Sequence, residues 1–301
     1  MHRLATTPGD WNPNYPESLP AQTPAPLVVL TAADTDIQCL AATLPHLPPD
    51  FIAIRAINLL QLQHPFSIDD YAERILSQAQ ILIVRLLGGR SYWSYGLEVI
   101  KELADEKGIA LWVVPGDDQP DGELMSHSSL PVHQVHQLWQ YCQEGGRENW
   151  QQGLQWVSNL CLGTKYAVLP PQMIPNVGSY HILTDDQTPQ VTPENPKVGV
   201  LFYRSHYLAG NTLVIDELCQ ALQAQGLNPI PFYVSSLRDP DVQDQLIQRL
   251  KLDFQAVSQE PIKLILNTTS FSLAQLQRQG IGEDLIPLWQ QLDIPILQVI
   301  L

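Results

Sequence analysis

Basic residues are scarce in this chain. Its 301 residues hold 16 Lys and Arg against 31 Asp and Glu, a formal net charge of −15. A nucleic-acid partner is disfavoured, because phosphate contacts need a basic face. An anionic membrane surface is disfavoured for the same reason. Cysteine is sparse too: Cys39, Cys142, Cys161 and Cys219 stand alone, with no CxxC pair to build a zinc ribbon or a thioredoxin-type site. Cys142 and Cys161 fall inside apolar helical patterns and read as small core residues. No run approaches the roughly 18 apolar residues of a membrane span. No charged segment followed by an apolar run opens the chain, so no signal peptide is expected. The expected setting is cytoplasmic. Several catalytic signatures are missing as well. There is no G-x-x-x-x-G-K-[ST]; Gly163-Thr-Lys165 lacks the earlier glycine, and Gly280-Ile-Gly282 lacks the third glycine of a dinucleotide loop. Neither G-x-S-x-G nor H-E-x-x-H occurs. Any ATP chemistry must then come from a partner.

What is present is a chain that is 45% hydrophobic and 16% charged, enough for real cores and long enough for two domains. A proline-rich lead-in covers 1–26. Strands at 27–30, 52–57, 81–86 and 109–114 alternate with helices at 34–44, after Ser67-Ile-Asp-Asp70 as a cap, and at 93–107, which Gly108 ends. Alternation of this kind predicts a mostly parallel sheet. Residues 121–163 read as helices broken at Gly145-Gly146. Residues 164–196 hold six prolines and no clear period, as a linker or a wrapped connection does. A second α/β unit starts at Lys197, with a helix opening at Asn211 and closing at Gly226. Strands follow near 228–233, 262–267 and 295–300, and helices near 240–251 and 283–291. The expected fold class is therefore α/β: two open, mostly parallel-sheet units joined by a helical segment and a Pro-rich connection. The domains divide as a lead-in 1–26, a first unit 27–163, a linker 164–196 and a second unit 197–301. An apolar run at the C-terminus, Ile300-Leu301, suggests a piece of something longer.

Candidate chemistry gathers where strands hand over to helices, the place where open α/β sheets hold ligands. Arg90, with Tyr92, Trp93 and Tyr95, can clamp a planar anion through charge and ring faces; the alternative is an aromatic set that packs a helix onto the sheet. Asp117, Asp118 and Asp121 follow a strand and can accept protons or hold a cation, or form a solvated turn. Arg204, Ser205, His206 and Asn211 occupy the strand-to-helix loop of the second unit, where an anion can bind. His127, His133 and His136 are the only histidine cluster. His133 and His136 share a helix face, but no acidic residue or cysteine completes a convincing ligand set, and exposed or cap histidines are the alternative.

Several long segments carry a resemblance. They are Asn58 to Gln63, Leu86 to Glu102, Pro115 to Asp121 with Ser126-His127-Ser128, Glu144 to Asn149, Val157 to Gly163, and Val198 to Arg204 with Ala209-Gly-Asn211. In these segments the chain resembles the N-terminal part of the large subunit of ATP-dependent cobaltochelatase, in the CobN/magnesium chelatase H-subunit family. The Gly88-Gly-Arg90 and Gly116-Asp-Asp118 stretches look more like the cobalt branch. The resemblance implies a role in cobalamin biosynthesis. The family's large subunit binds a tetrapyrrole, hydrogenobyrinic acid a,c-diamide, and is where cobalt(II), a substrate, is inserted. AAA+ ATPase-type partner subunits handle ATP and Mg. Family members are several times longer than this chain and the regions thought to form the chelation site are missing, so no catalytic residue carries over and the piece alone is expected to be inactive. Two other readings stay open: a non-catalytic module that holds a tetrapyrrole or a partner subunit, and the magnesium chelatase large subunit.

Overall fold

A computed structural model describes residues 21–117, 119–182, 195–256, 261–269 and 288–300. The chain divides into two compact units, with the break between Ile174 and Pro175.

The first unit holds a four-stranded parallel sheet, ordered β2-β1-β3-β4. Its strands are β1 (Leu27–Thr31), β2 (Ile54–Asn58), β3 (Ile81–Leu86) and β4 (Ala110–Pro115). Every residue of β1 and β3 is buried, which is why they read as continuous apolar runs rather than as alternation. The two-residue period still sorts their side chains. Val28, Leu30, Leu82, Val84, Leu111 and Val113 point to one face. There they pack against α2 (Pro65–Arg74) and α3 (Ser94–Lys107). Leu27, Val29, Ile81, Ile83, Trp112 and Val114 point to the other. They meet α1 (Asp34–Thr43), α5 (Val132–Glu144) and α6 (Gly146–Leu162). A short α4 (Gly122–Met125) lies between β4 and α5.

The helix boundaries have local causes. α3 ends because Gly108 takes the left-handed conformation at φ 68°, and Lys107 sits in its last turn. α2 starts earlier than expected. Pro65 fills the first helical position and the His64 ring accepts from Phe66 N at 3.2 Å, so His64, not the Ser67 segment, is the cap. Both sheet edges are covered. Gln22 Nε2 donates to Ala56 O at 2.9 Å on β2. On β4, Ser129 Oγ accepts from Leu111 N and Ser128 Oγ from Val113 N, each at 2.8 Å. Two consecutive serines thereby stand in for a neighbouring strand.

Residues 163–174 belong to the first unit and run along it without helix or strand. Tyr141 Oη donates to Leu169 O at 2.6 Å, Asn149 bonds Gln172 in both directions, Asn159 Oδ1 accepts from Tyr166 N, and Glu144 accepts from Ile174 N. Asn149, Asn159 and Glu144 all belong to segments that carried the resemblance. Their role is to hold an extended segment that has few backbone partners of its own.

The second unit is a five-stranded sheet, ordered β5-β7-β6-β8-β9. Its strands are β5 (Val177–Ser179), β6 (Lys197–Tyr203), β7 (Asn228–Val234), β8 (Ile262–Asn267) and β9 (Ile296–Gln298). All pairings are parallel except β5 on β7. β5 lies inside the proline-rich stretch where no strand was expected. One face packs on α9 (Pro240–Ala256) and α10 (Leu288–Leu292), the other on α8 (Leu213–Ala224). Residues 283–287, where a helix was expected to begin, lie outside the described residues. The expected strand-to-helix loop after β6 is instead a short helix, α7 (Arg204–Ala209), closed by Gly210 at φ 68°. Asn211 does not open α8; Thr212 holds the cap position. Among the described residues no helix is long and apolar enough to cross a membrane.

Candidate functional site

Each sheet reverses its strand order between two central strands, β1 and β3 in the first unit and β6 and β8 in the second. The carboxyl ends of those strands are where a doubly wound sheet opens a crevice. In the first unit the crevice is filled by a buried ion pair. Arg85 Nη1 donates to Asp36 Oδ1, Thr31 Oγ1 donates to Asp36 Oδ2 at 2.6 Å, and Arg85 Nη2 reaches Gly116 O at 3.4 Å. Thr31 and Arg85 stand opposite each other in the register. Burial works against the Arg85 charge, but Asp36, through its charge and hydrogen bond, together with Cys142 and Asp117 raises the guanidinium's proton affinity on balance. Arg85 Nε is buried and has no partner among the described residues. None of these three residues was singled out from sequence. The available signal was a charged residue near the end of the apolar run 81–86.

Beyond this plug lies the glycine loop. Gly88 and Gly89 both take positive φ, 78° and 75°. Gly88 N donates to Asp117 Oδ2 at 2.9 Å, so Asp117 fastens the loop between β3 and α3. Arg90 follows on a single 3-10 turn and reaches Glu98 at 3.3 Å, with both side chains about half exposed. Tyr92 is exposed. The aromatic set does not act as one clamp. Trp93 is buried and donates to Leu62 O at 3.1 Å, and Tyr95 donates to Asp69 at 3.0 Å. Gly96 lets the Trp93 ring lie flat on the helix: a Cβ there would stand 2.1 Å from Trp93 Cε2. Asp121 caps α4 by accepting from Leu124 N at 2.9 Å. Asp118 lies outside the described residues. An open depression of about 570 Å³ is lined by Arg90, Ser91, Ser94, Asp121, Glu123 and Leu124.

The three histidines go separate ways. His127 Nδ1 meets Lys101 Nζ at 3.1 Å, and Nε2 is buried with no partner among the described residues. An ammonium can only donate, so Nδ1 accepts and the ring is neutral. Burial, then Lys101 and Arg90, lower its proton affinity. His133 is exposed on α5. His136 leans on Trp139, with ring centroids 5.2 Å apart. Among the described residues, no three His, Cys, Asp or Glu side chains gather closely enough to hold a metal ion.

In the second unit, Arg204 is buried and its Nε donates to Pro175 O at 3.2 Å, which ties the start of β5 to α7. His206 Nδ1 is buried with no partner among the described residues, and burial lowers the ring's proton affinity. Its carbonyl accepts from Asn211 N at 2.9 Å, and Asn211 itself is exposed. The Tyr207 ring stacks on Tyr233 at 4.3 Å. The crevice here is filled by neutral groups: Asn267 Nδ2 donates to Gln298 Oε1 at 2.9 Å, Thr269 Oγ1 to Asn267 Oδ1 at 2.7 Å, and Gln298 Nε2 to Thr269 O at 2.7 Å.

Two α/β units, each with a crevice at the reversal of its strand order, define a protein of tandem open parallel-sheet domains. Comparison with known proteins then places it. The family model described as CobN/Magnesium Chelatase matches residues 139–301, and the chain belongs to that family. It is 38% identical over 305 residues to a Pseudomonas aeruginosa protein named aerobic cobaltochelatase subunit CobN, covering 100% of this chain and 23% of that protein. A Sinorhizobium protein of the same name is 31% identical over 93% of this chain and 22% of its own length. The chain thus spans about a quarter of the length of these curated relatives. Its fold resembles that of the catalytic subunit of cobaltochelatase from Mycobacterium tuberculosis, with a TM-score of 0.59 at 24% identity over 91% of this chain and 21% of that one.

Proposed function

We propose that this chain is the N-terminal portion of the large, tetrapyrrole-binding subunit of a cobaltochelatase, and that its substrate is hydrogenobyrinic acid a,c-diamide. The observation that carries this reading is the 38% identity to a CobN subunit along the whole chain. The family as a class is one of metal chelatases. Insertion of cobalt(II), the metal substrate, removes two pyrrole protons, bends the ring and strips water from the ion, and so calls for bases near the ring. Those bases are assigned to the part of the subunit that this chain does not span, and this chain to ring recognition. ATP and Mg are assigned to AAA+ ATPase-type partner subunits. Within the chain, Arg90 and Tyr92 are the strongest ligand candidates, since both side chains are exposed at the carboxyl end of β3. Arg204 and His206, both on α7, are weaker ones, the first buried and the second half-buried.

The test is a fluorescence-quenching titration of the purified 301-residue protein with hydrogenobyrinic acid a,c-diamide, run beside protoporphyrin. Saturable binding of the diamide in preference to protoporphyrin is expected. The reverse preference moves the chain to the magnesium branch. No binding by protein that circular dichroism shows to be folded removes recognition from this segment.

A further inference from the structure

Three large apolar side chains stand exposed where α2 and α3 begin. Phe66, in the first turn of α2, is 74% exposed. Leu60 lies on the 3-10 turn Leu59–Leu62 that leads into α2, and Tyr95 in the first turn of α3; each is about half exposed. Two contacts fix this end of the layer. Trp93 Nε1 donates to Leu62 O at 3.1 Å, which fastens the 3-10 turn to the start of α3. Tyr95 Oη donates at 3.0 Å to Asp69, which follows Phe66 by three residues on α2 and so shares its side of the helix. Together the three side chains expose roughly 300 Å² of apolar surface, the size at which a patch on a monomer is often functional.

The rest of this layer is acidic. Its cations are already engaged: Arg74 meets Asp70 and Lys107 meets Glu106, both at 2.9 Å, and Arg90 meets Glu98 at 3.3 Å. Glu73, Glu102 and Asp105 are exposed and have no ion-pair partner among the described residues. The hydrogen bond to Asp69 raises the proton affinity of the Tyr95 phenol, and the charge of Glu102 adds to it, which puts that carboxylate beside the apolar end. An apolar patch continued by unpaired carboxylates repels an anionic membrane surface. It repels a second copy as well, because a twofold contact would set the same acids against each other on chains of net charge −15. Its complement is an apolar anchor flanked by lysine or arginine, as an amphipathic helix presents.

We propose that this face of the first unit is a docking surface for a basic amphipathic helix of a protein partner, whose apolar side covers Leu60, Phe66 and Tyr95 and whose lysines or arginines meet Glu73 and Glu102. The probe is a fluorescently labelled helical peptide with leucine along one side and lysine along the other. It is titrated with the 301-residue protein and followed by anisotropy. Saturable binding is expected, weakened about tenfold by Phe66→Ser, the loss of one aromatic anchor, and about threefold by Glu102→Gln. Phe66→Leu keeps an apolar anchor and is expected to hold the affinity within about threefold. Phe66 and Glu102 are both exposed, so these variants leave the cores intact. Absence of saturable binding, or binding that Phe66→Ser and Glu102→Gln leave unchanged, overturns the proposal. Self-association in sedimentation, or retention on phosphatidylserine vesicles, that Phe66→Ser abolishes also overturns it, since either gives the face a different occupant.

Discussion

The two units solve one topological problem with different chemistry. Apart from the antiparallel β5, their strand orders are the same: β2-β1-β3-β4 in the first and β7-β6-β8-β9 in the second. Each therefore leaves a crevice between its first and third strands, at their carboxyl ends. The first unit fills it with charge, Arg85 on Asp36, and the second with neutral amides and a hydroxyl, Asn267, Gln298 and Thr269. The first unit's ion pair is buried on both sides, whereas the second unit's network joins buried Asn267 and Thr269 to the exposed Gln298, and the two fail differently. Removing one ion leaves a charge without a partner in low dielectric; removing one amide leaves an unbonded dipole.

The largest expected effect follows from that difference. Asp36→Ala is expected to destabilise the first unit by about 3–5 kcal/mol, read by urea denaturation. Replacing the pair together, Asp36→Leu with Arg85→Met, is expected to recover most of the loss, since two apolar side chains of similar volume strand no charge and leave only the Thr31 hydroxyl without its acceptor. If the double variant is as unstable as the single one, the pair does more than satisfy itself. The second unit gives the contrast: Asn267→Leu is expected to cost about 1–3 kcal/mol, because Gln298 and Thr269 lose partners but no charge is stranded. A larger loss from Asn267→Leu than from Asp36→Ala would reverse the comparison.

The same contrast shows what sequence can and cannot reveal. The strand-helix alternation was legible because buried parallel strands are runs such as 81–84, and because Gly108 is a recognisable helix stop. The ion pair was not, because Asp36 and Arg85 are 49 residues apart and only the register of β1 on β3 brings them together. β5 was hidden because three residues among prolines have no period of their own; β7 imposes the pairing. The Ser128 and Ser129 cover of β4 was hidden for a similar reason, as each hydroxyl finds its backbone partner across a turn. At the site, Arg90 and Tyr92 were placed at the carboxyl edge as expected, whereas Trp93 went to the core because its apolar area outweighs any ligand role.

Thiol labelling sharpens the comparison by reading each unit separately. Burial pushes the Cys142 thiol in the first unit and the Cys219 thiol in the second up to about 12, so neither reacts at pH 8 without local opening. Asp36→Ala is expected to speed alkylation of Cys142 by about 100-fold, the equivalent of about 3 kcal/mol. The rate at Cys219 should stay within about threefold of its original value. Mass spectrometry of iodoacetamide-treated protein distinguishes the two sites. Equal acceleration at both would mean that the units open together.

The smallest effect tests whether the units share any feature of their electrostatics, and here they converge. Each carries one histidine held neutral: His127 by burial and by Lys101, His206 by burial. For both, the folded-state value lies below the ordinary 6.5. The unfolded chain therefore takes up a proton that the folded chain refuses as pH falls through about 6.5. Stability must decline over that window and level off below the folded-state value. His206→Gln is expected to flatten the decline for the second unit only, and His127→Gln for the first only. Cys219 and Cys142 labelling rates between pH 5 and 8, corrected for intrinsic thiol reactivity, report the two separately. If the first unit kept its acid sensitivity in His127→Gln while the second lost its own in His206→Gln, a group other than His127 would govern the first, and the units would differ in their electrostatics as well as in their crevices.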